Sequence, residues 1–186
     1  MSGSGARANT ERRTSWLELF FDLVLVAAVA ALAGQLHDDH TLAGLAIFAG
    51  LFVPVWWAWW AYTWLAAGFN DDSRTFRIGT LTSMIAVAAV AGSIGAVADG
   101  DTDTFALGYA AFLLVLTALY VRAWWTVPSA RPLTGCYAIG DAVGAGLWLA
   151  SLALDSGQRP YLWALAMVVL MGSPLLAARS LGLSLV

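Results

Sequence analysis

Two carboxylates, Glu18 and Asp22, lie inside the first long apolar run of the chain. Residues four apart share one face of a helix, so we expect both side chains to point the same way. An ionisable group at membrane depth costs about 3 kcal/mol or more unless it has a partner or binds something. The pair is therefore a candidate ion or substrate site.

A third acid, Asp141, lies in a later apolar run. At a rise of 1.5 Å per residue, we expect Asp22 about 9 Å and Asp141 about 12 Å from the helix ends that face the cytoplasm. Arg122 is about one turn from that end of the preceding helix and is the predicted counter-charge of Asp141. Arg77 opens the third helix and is also a candidate residue of the ion or substrate site. These acids and arginines are predicted to meet at one membrane level.

Two interpretations of this charged group stay open. Intramembrane charges commonly pair, so the first interpretation is that the cluster has a purely structural role and holds the helices in register. Alternatively, one carboxylate binds a proton or a cation. For Glu18 alone, a third reading is a helix cap or a side chain that reaches the membrane surface.

Composition sets the class of protein. Of the 186 residues, 60% are hydrophobic and 11% charged, whereas about a quarter of a soluble domain is charged. The chain is therefore predicted to be an integral membrane protein with the lipid bilayer as its surroundings. The net charge is −3, and no basic run is interleaved with aromatic residues, which excludes a nucleic-acid surface.

Six runs are long and apolar enough to span a bilayer, which needs roughly 20 residues. We predict an all-α, polytopic membrane bundle with six transmembrane helices at Trp16–Leu36, Thr41–Ala67, Ile78–Ala98, Thr104–Thr126, Leu133–Leu154 and Tyr161–Ala178.

Short polar joins leave no room for a soluble domain between the spans. The predicted organisation is a tail over residues 1–15 and a six-helix domain over residues 16–186. Arginines cluster at the second and fourth joins, so the positive-inside rule places both termini in the cytoplasm, with Arg159 alone on the opposite side. Ser73, with Asp71 and Asp72, is a candidate N-cap of the third helix.

The second span is rich in tryptophan. Trp57, Trp60 and Trp64 are candidates for an aromatic-lined cavity, and the alternative is packing against lipid at the membrane interface. Small residues recur at Ala88, Gly92 and Ala96 and again at Gly140 and Gly144, a spacing that lets helices approach closely. We expect packing within the chain at these rows; contact between copies is the alternative.

Signatures of common soluble chemistry are missing from the sequence. It has no Gly-rich phosphate loop, no Gly-x-Ser-x-Gly elbow and no His-Glu-x-x-His pair. The run from His37 to His40 is interpreted as a solvated turn rather than a metal site. We therefore predict no catalytic residues, no metal and no cofactor.

One stretch resembles a known family. Trp16 to Val24, followed by Gln35 and Leu36, resembles the opening signature of the bacterial low temperature requirement protein A family. The Trp-rich second helix, the Phe69–Asp72 turn leading to Arg77, and Tyr109 and Tyr120 are similar to it more loosely.

The resemblance implies a polytopic membrane protein linked to growth at low temperature. Family members usually run to about twice this length, so the chain is expected to correspond to an N-terminal half. Its partner is then the missing C-terminal half or a second copy. Only Glu18 and Asp22 carry over as functional positions.

The leading hypothesis is a transporter- or channel-like protein of the bacterial inner membrane that moves a proton, a cation or a small solute. The second is a structural or stress-adaptation membrane protein whose charges only lock the helices. An enzyme embedded in the membrane is the third.

Overall fold

The computed structural model describes residues 16–69 and 73–180, so the predicted tail lies outside the described residues. Six long helices form, and each is long and apolar enough to cross a membrane. The prediction of an all-α bundle with six membrane-length helices is confirmed. The helices are α1 Trp16–Asp38, α2 Leu42–Phe69, α3 Arg74–Ala98, α4 Asp103–Thr126, α5 Arg131–Ser151 and α6 Arg159–Ser180.

Local capping sets where α3 begins. The Oγ of Ser73 accepts a hydrogen bond from the backbone N–H of Phe76 at 3.1 Å, which satisfies one of the free donors of the first turn. The N-cap prediction is confirmed for Ser73, whereas Asp71 and Asp72 lie outside the described residues. Because the cap is at residue 73, α3 starts four residues earlier than predicted.

The boundary between α5 and α6 also differs from the prediction. The fifth helix ends at Ser151 rather than Leu154, and the sixth begins at Arg159 rather than Tyr161. The guanidinium of Arg159 donates hydrogen bonds to the carbonyl oxygens of Leu154, at 3.1 Å, and Leu152, at 3.5 Å. These carbonyl oxygens lie beyond the end of α5, and the side chain of Arg159 supplies hydrogen bonds to them in place of a further helical turn.

The short connections make the helices alternate in direction. We call the end where α1, α3 and α5 begin the proximal end, and the opposite end the distal end. The fourth helix is the most buried and packs against α3, α5 and α2. The fifth lies between α4 and α6, and α1 packs more extensively on α3 than on α2.

One tyrosine ties three helices together. The hydroxyl of Tyr109 on α4 donates a hydrogen bond to the carbonyl oxygen of Pro54, at 3.0 Å, and lies 3.8 Å from the Sδ of Met167 on α6. Pro54 is inside α2, where a proline removes one backbone hydrogen bond. The tyrosine thus joins α2 to α4 within the part of α2 that contains the proline.

The two small-residue rows behave differently. Cβ atoms added at Gly140 and Gly144 would meet Ser173 at 2.7 Å and Leu170 at 2.9 Å on α6, so this row is packing within the chain, as predicted. On α3, Gly92 is exposed and has nothing within 4 Å of its Cβ position. The expectation of intrachain packing is wrong at Ala88 and Gly92, because both residues are exposed, whereas Ala96 is half-buried.

These two glycines allow a matched test of packing. We expect Gly140→Ala to lower the free energy of unfolding by about 1–3 kcal/mol, because the new methyl group overpacks the α5–α6 contact. Gly92→Ala adds the same group into open space and should leave stability unchanged or slightly raised. Thermal unfolding in detergent measures both, and equal effects of the two substitutions would contradict the close contact.

Candidate functional site

Asp141 occupies the middle of α5. It lies ten residues from either end of the helix, about 15 Å at 1.5 Å per residue, so it sits deeper than the 12 Å predicted because the helix begins at Arg131. The residue is only 4% exposed. Its Oδ2 atom is buried and has no hydrogen-bond partner among the described residues.

Three tyrosines lie in the region of this carboxyl group. Tyr109 and Tyr120 approach from α4, and Tyr137 lies one turn before Asp141 on the same face of α5. All three are buried and close enough to interact electrostatically with the carboxylate. The rings of Tyr120 and Tyr137 stack with centroids 5.1 Å apart and planes 12° apart. Asp141 therefore has hydroxyl groups, not cations, as its titratable neighbours.

A cavity of about 220 Å³ opens at the proximal end between α2, α3 and α4. The ring of Phe69 forms part of its wall and meets Tyr120 edge-on, with centroids 6.1 Å apart. Phe69, Tyr120 and Tyr137 therefore form a row of neighbouring rings that leads from the cavity wall to the turn of α5 just before Asp141. The lining residues are Leu65, Gly68, Phe69, Phe76, Leu119, Arg122, Ala123, Thr126 and Val127.

Aromatic rings fill the distal side of the same region. Trp148 stacks on Trp163 with centroids 4.5 Å apart, and Phe105 lies 5.4 Å from Trp163. Tyr109 is 4.5 Å from Trp148. The indole N–H of Trp163 donates to the Oγ of Ser151 at 3.0 Å. Asp141 therefore lies between a cavity on one side and close aromatic packing on the other.

The first-helix carboxylates lie elsewhere. Asp22 is exposed, and its Oδ1 accepts a hydrogen bond from the Nε1 of Trp59 on α2 at 3.1 Å. The neighbouring Phe21 points inward and stacks on Tyr62 at 3.9 Å. Glu18 is in the first turn of α1, but its side chain lies outside the described residues.

The candidate arginines are all proximal. Arg122 is half-buried and lines the cavity, whereas Arg77 is exposed in the first turn of α3. Within the part of the chain that the structure describes, Asp141 makes no ion pair with either of them. For the acids whose side chains the structure describes, the expected meeting with these arginines is therefore not found: Asp141 lies near tyrosines, and Asp22 is exposed.

The ion pair that the described residues do contain is distal. Arg159, with a side chain 11% exposed, pairs with Asp103 at the start of α4 and donates to the Oγ1 of Thr102 at 2.6 Å. Sequence reasoning noted Arg159 only as an exception to the charge rule. The available signal was an acid and an arginine that open two helices at the same end of the bundle.

The three candidate tryptophans form a row along α2. Trp57 stacks on Trp60 with centroids 4.6 Å apart, and Trp60 stacks on Trp64 at 5.8 Å. Trp57 is buried, Trp60 is half-buried and Trp64 is exposed. The row therefore runs from the interior to the lipid-facing surface, and none of its members lines the proximal cavity.

Six membrane-length helices define a polytopic integral membrane protein. The chain belongs to the family described as bacterial low temperature requirement A protein (LtrA), whose model matches residues 13–186. The resemblance seen in the sequence is thereby confirmed.

A curated relative is an uncharacterized protein of Rhizobium meliloti (strain 1021). It is 29% identical over 168 residues, which cover 80% of this chain and 41% of that protein. The chain therefore spans about two fifths of the length of the relative. No solved structure matches.

Proposed function

We propose that this chain is the ion-conducting part of a transporter- or channel-like membrane protein, with Asp141 as the group that binds the transported proton or cation. A single observation carries the proposal: a carboxyl group at the midpoint of a membrane-length helix, 4% exposed, with Oδ2 unpartnered. Burying this group destabilises the fold, so we expect the residue to have a function, because intramembrane acids commonly mark ion pathways.

Energetic reasoning supports a proton or cation that binds to the carboxyl group of Asp141 and can be exchanged. An ionised carboxylate in an apolar interior is strongly disfavoured unless a positive charge or several hydrogen bonds compensate it. Among the described residues, the titratable neighbours of Asp141 are the hydroxyl groups of tyrosines. The carboxyl group must therefore hold either a proton or a cation, and a group that changes between these states is suited to ion transfer.

We also propose an orientation in the bacterial inner membrane with the proximal end in the cytoplasm. Arg74, Arg77 and Arg131 are exposed at that end, in agreement with the positive-inside rule. The exception, Arg159, is buried and paired with Asp103, so its position follows from packing.

The decisive experiment is ion flux in proteoliposomes. Asp141→Asn keeps the side-chain size but removes the titratable group, and we expect it to abolish flux while the protein remains folded. Asp155→Asn is the matched control, because Asp155 is exposed in the distal turn and should retain full flux. Full flux in Asp141→Asn would contradict the proposal.

The carboxylate of the first helix is tested in the same assay. Asp22 is exposed and hydrogen-bonded to Trp59, so we expect Asp22→Asn to retain most of the flux. A loss of flux with intact folding would instead extend the ion site to α1.

The alternative function is structural, and the Arg159–Asp103 lock favours it for the distal end. If Asp141 were also only structural, Asp141→Asn would lower thermal stability and leave flux unchanged. We expect the opposite, since a buried acid without a compensating partner is itself costly to the folded state.

A link to growth at low temperature is the last element of the proposal. It is supported by the description of the family to which the chain belongs. Complementation of a strain that lacks the gene, compared at low and ordinary temperature with Asp141→Asn, tests whether this buried acid is needed for that growth.

A further inference from the structure

We infer that the ion is a proton and that it reaches Asp141 from the proximal cavity through the hydroxyl groups of Tyr120 and Tyr137. The inference rests on the proposed function, because it names the ion and the route for the same site. It stands on the order of contacts from the cavity wall to the carboxyl group.

The route begins in a cavity with room for water. Its volume of about 220 Å³ exceeds the roughly 30 Å³ that one water molecule occupies in the liquid. Arg122 and Thr126 supply polar groups in its wall. A charged side chain near the end of a membrane helix draws water to itself, so the cavity is expected to be hydrated.

The stacked tyrosines separate that cavity from Asp141. The ring of Tyr120 meets the wall residue Phe69 edge-on. It also stacks on the ring of Tyr137 at 5.1 Å, and Tyr137 lies one turn before Asp141 on the same face of α5. A hydrated metal cation could pass only if both rings moved aside. A proton needs no such space, because a hydroxyl group both donates and accepts hydrogen bonds.

On the distal side, the described residues beyond Asp141 are closely packed in this conformation. The hydroxyl group of Tyr109 donates to the carbonyl of Pro54, and beyond it Trp148 and Trp163 are stacked. The described titratable groups that face Asp141 are therefore Tyr109 and Tyr120 from α4 and Tyr137 from α5. From α6, Ser173 approaches the adjoining Gly140. In this state Asp141 exchanges its proton with the proximal side.

Proton flux in proteoliposomes tests the route. Tyr120→Phe and Tyr137→Phe keep both rings and remove one hydroxyl group each. We expect either variant to reduce Asp141-dependent proton flux by about a hundredfold, the lower end of what a positioned proton-transfer group contributes. Tyr161→Phe is the matched control, since Tyr161 is 77% exposed and should have the flux of the wild type.

Each outcome has a separate meaning. Wild-type flux in both Phe variants, beside an inactive Asp141→Asn, would overturn the route and leave the proposed function standing. Flux of sodium or potassium that depends on Asp141 would overturn the proton assignment. Full proton flux in Asp141→Asn would overturn the proposed function and the inference with it. Size-exclusion profiles establish that each variant is folded.

Hydration of the cavity is tested without any flux. In a Cys136→Ala background, Ala123→Cys places a thiol in the cavity wall, whereas Ala166→Cys places one in the packed core of α6. We expect a water-soluble thiol reagent to modify the first and not the second. An unmodified thiol at position 123, in folded protein, would show that the cavity is dry and would overturn the route.

Discussion

Arg159→Gln is expected to lower the free energy of unfolding by about 2 kcal/mol, within the roughly 1.5–3 kcal/mol of hydrogen bonds to charged groups. The side chain is 11% exposed and joins α6 to Asp103 at the start of α4, to Thr102 just before that helix and to the carbonyl of Leu154. Asp103 is 62% exposed and keeps much of its hydration, which limits the loss. Thermal unfolding in detergent measures the effect.

Arg131→Gln is the matched control for this substitution. Arg131 is exposed, its Nε donates to the carbonyl oxygen of Trp124 at 3.2 Å, and its guanidinium lies 5.0 Å from the centroid of the Trp124 ring. An exposed contact of this kind contributes at most about 1 kcal/mol. If the two substitutions lowered the free energy of unfolding equally, the burial of Arg159 would not contribute to stability.

Trp148→Ala is expected to cost about 3 kcal/mol or more of stability, as large-to-small substitutions in a packed core do. Trp148 is fully buried and contacts Phe105, Tyr109 and Trp163. Inside a bilayer, helices associate through close packing rather than through exclusion of water, so the cavity left by the ring is the main loss.

Two further substitutions serve as comparisons for Trp148→Ala. Trp125→Ala removes the same ring at a position 67% exposed and should change stability little. Trp148→Phe should cost less than the alanine variant, because it keeps most of the packing and removes an indole N–H that has no partner among the described residues. A loss in Trp125→Ala as large as in Trp148→Ala would contradict the assignment of this cluster to the core.

Hydropathy and length were sufficient to predict the helices, because every span must satisfy its own backbone hydrogen bonds in lipid. Helix ends were less predictable where a side chain from another element intervenes. The last turn of α5 is lost because Arg159 takes its carbonyls, an effect with no trace in the local pattern of residues 131–154.

The site was only partly predictable, for the same reason. Asp141 could be found because it is an acid in an apolar run. Its neighbours could not be found, because Tyr109 and Tyr120 belong to another helix, and the sequence pattern does not show that they lie near Asp141. The expected partner Arg122 belongs to the right helix and the right end, but it lines the cavity and makes no ion pair with Asp141.

The preference of α1 for α3 over α2 has a consequence for biosynthesis. The chain is made from its N-terminus, and most other extensive contacts join helices that follow one another directly. The first helix must therefore stay in the bilayer without its main neighbour until the third has been inserted. A nascent chain that stops after α2 keeps the stack of Phe21 on Tyr62 but lacks the helix on which α1 packs most extensively. Such an intermediate holds α1 with fewer of the close contacts by which helices associate in lipid.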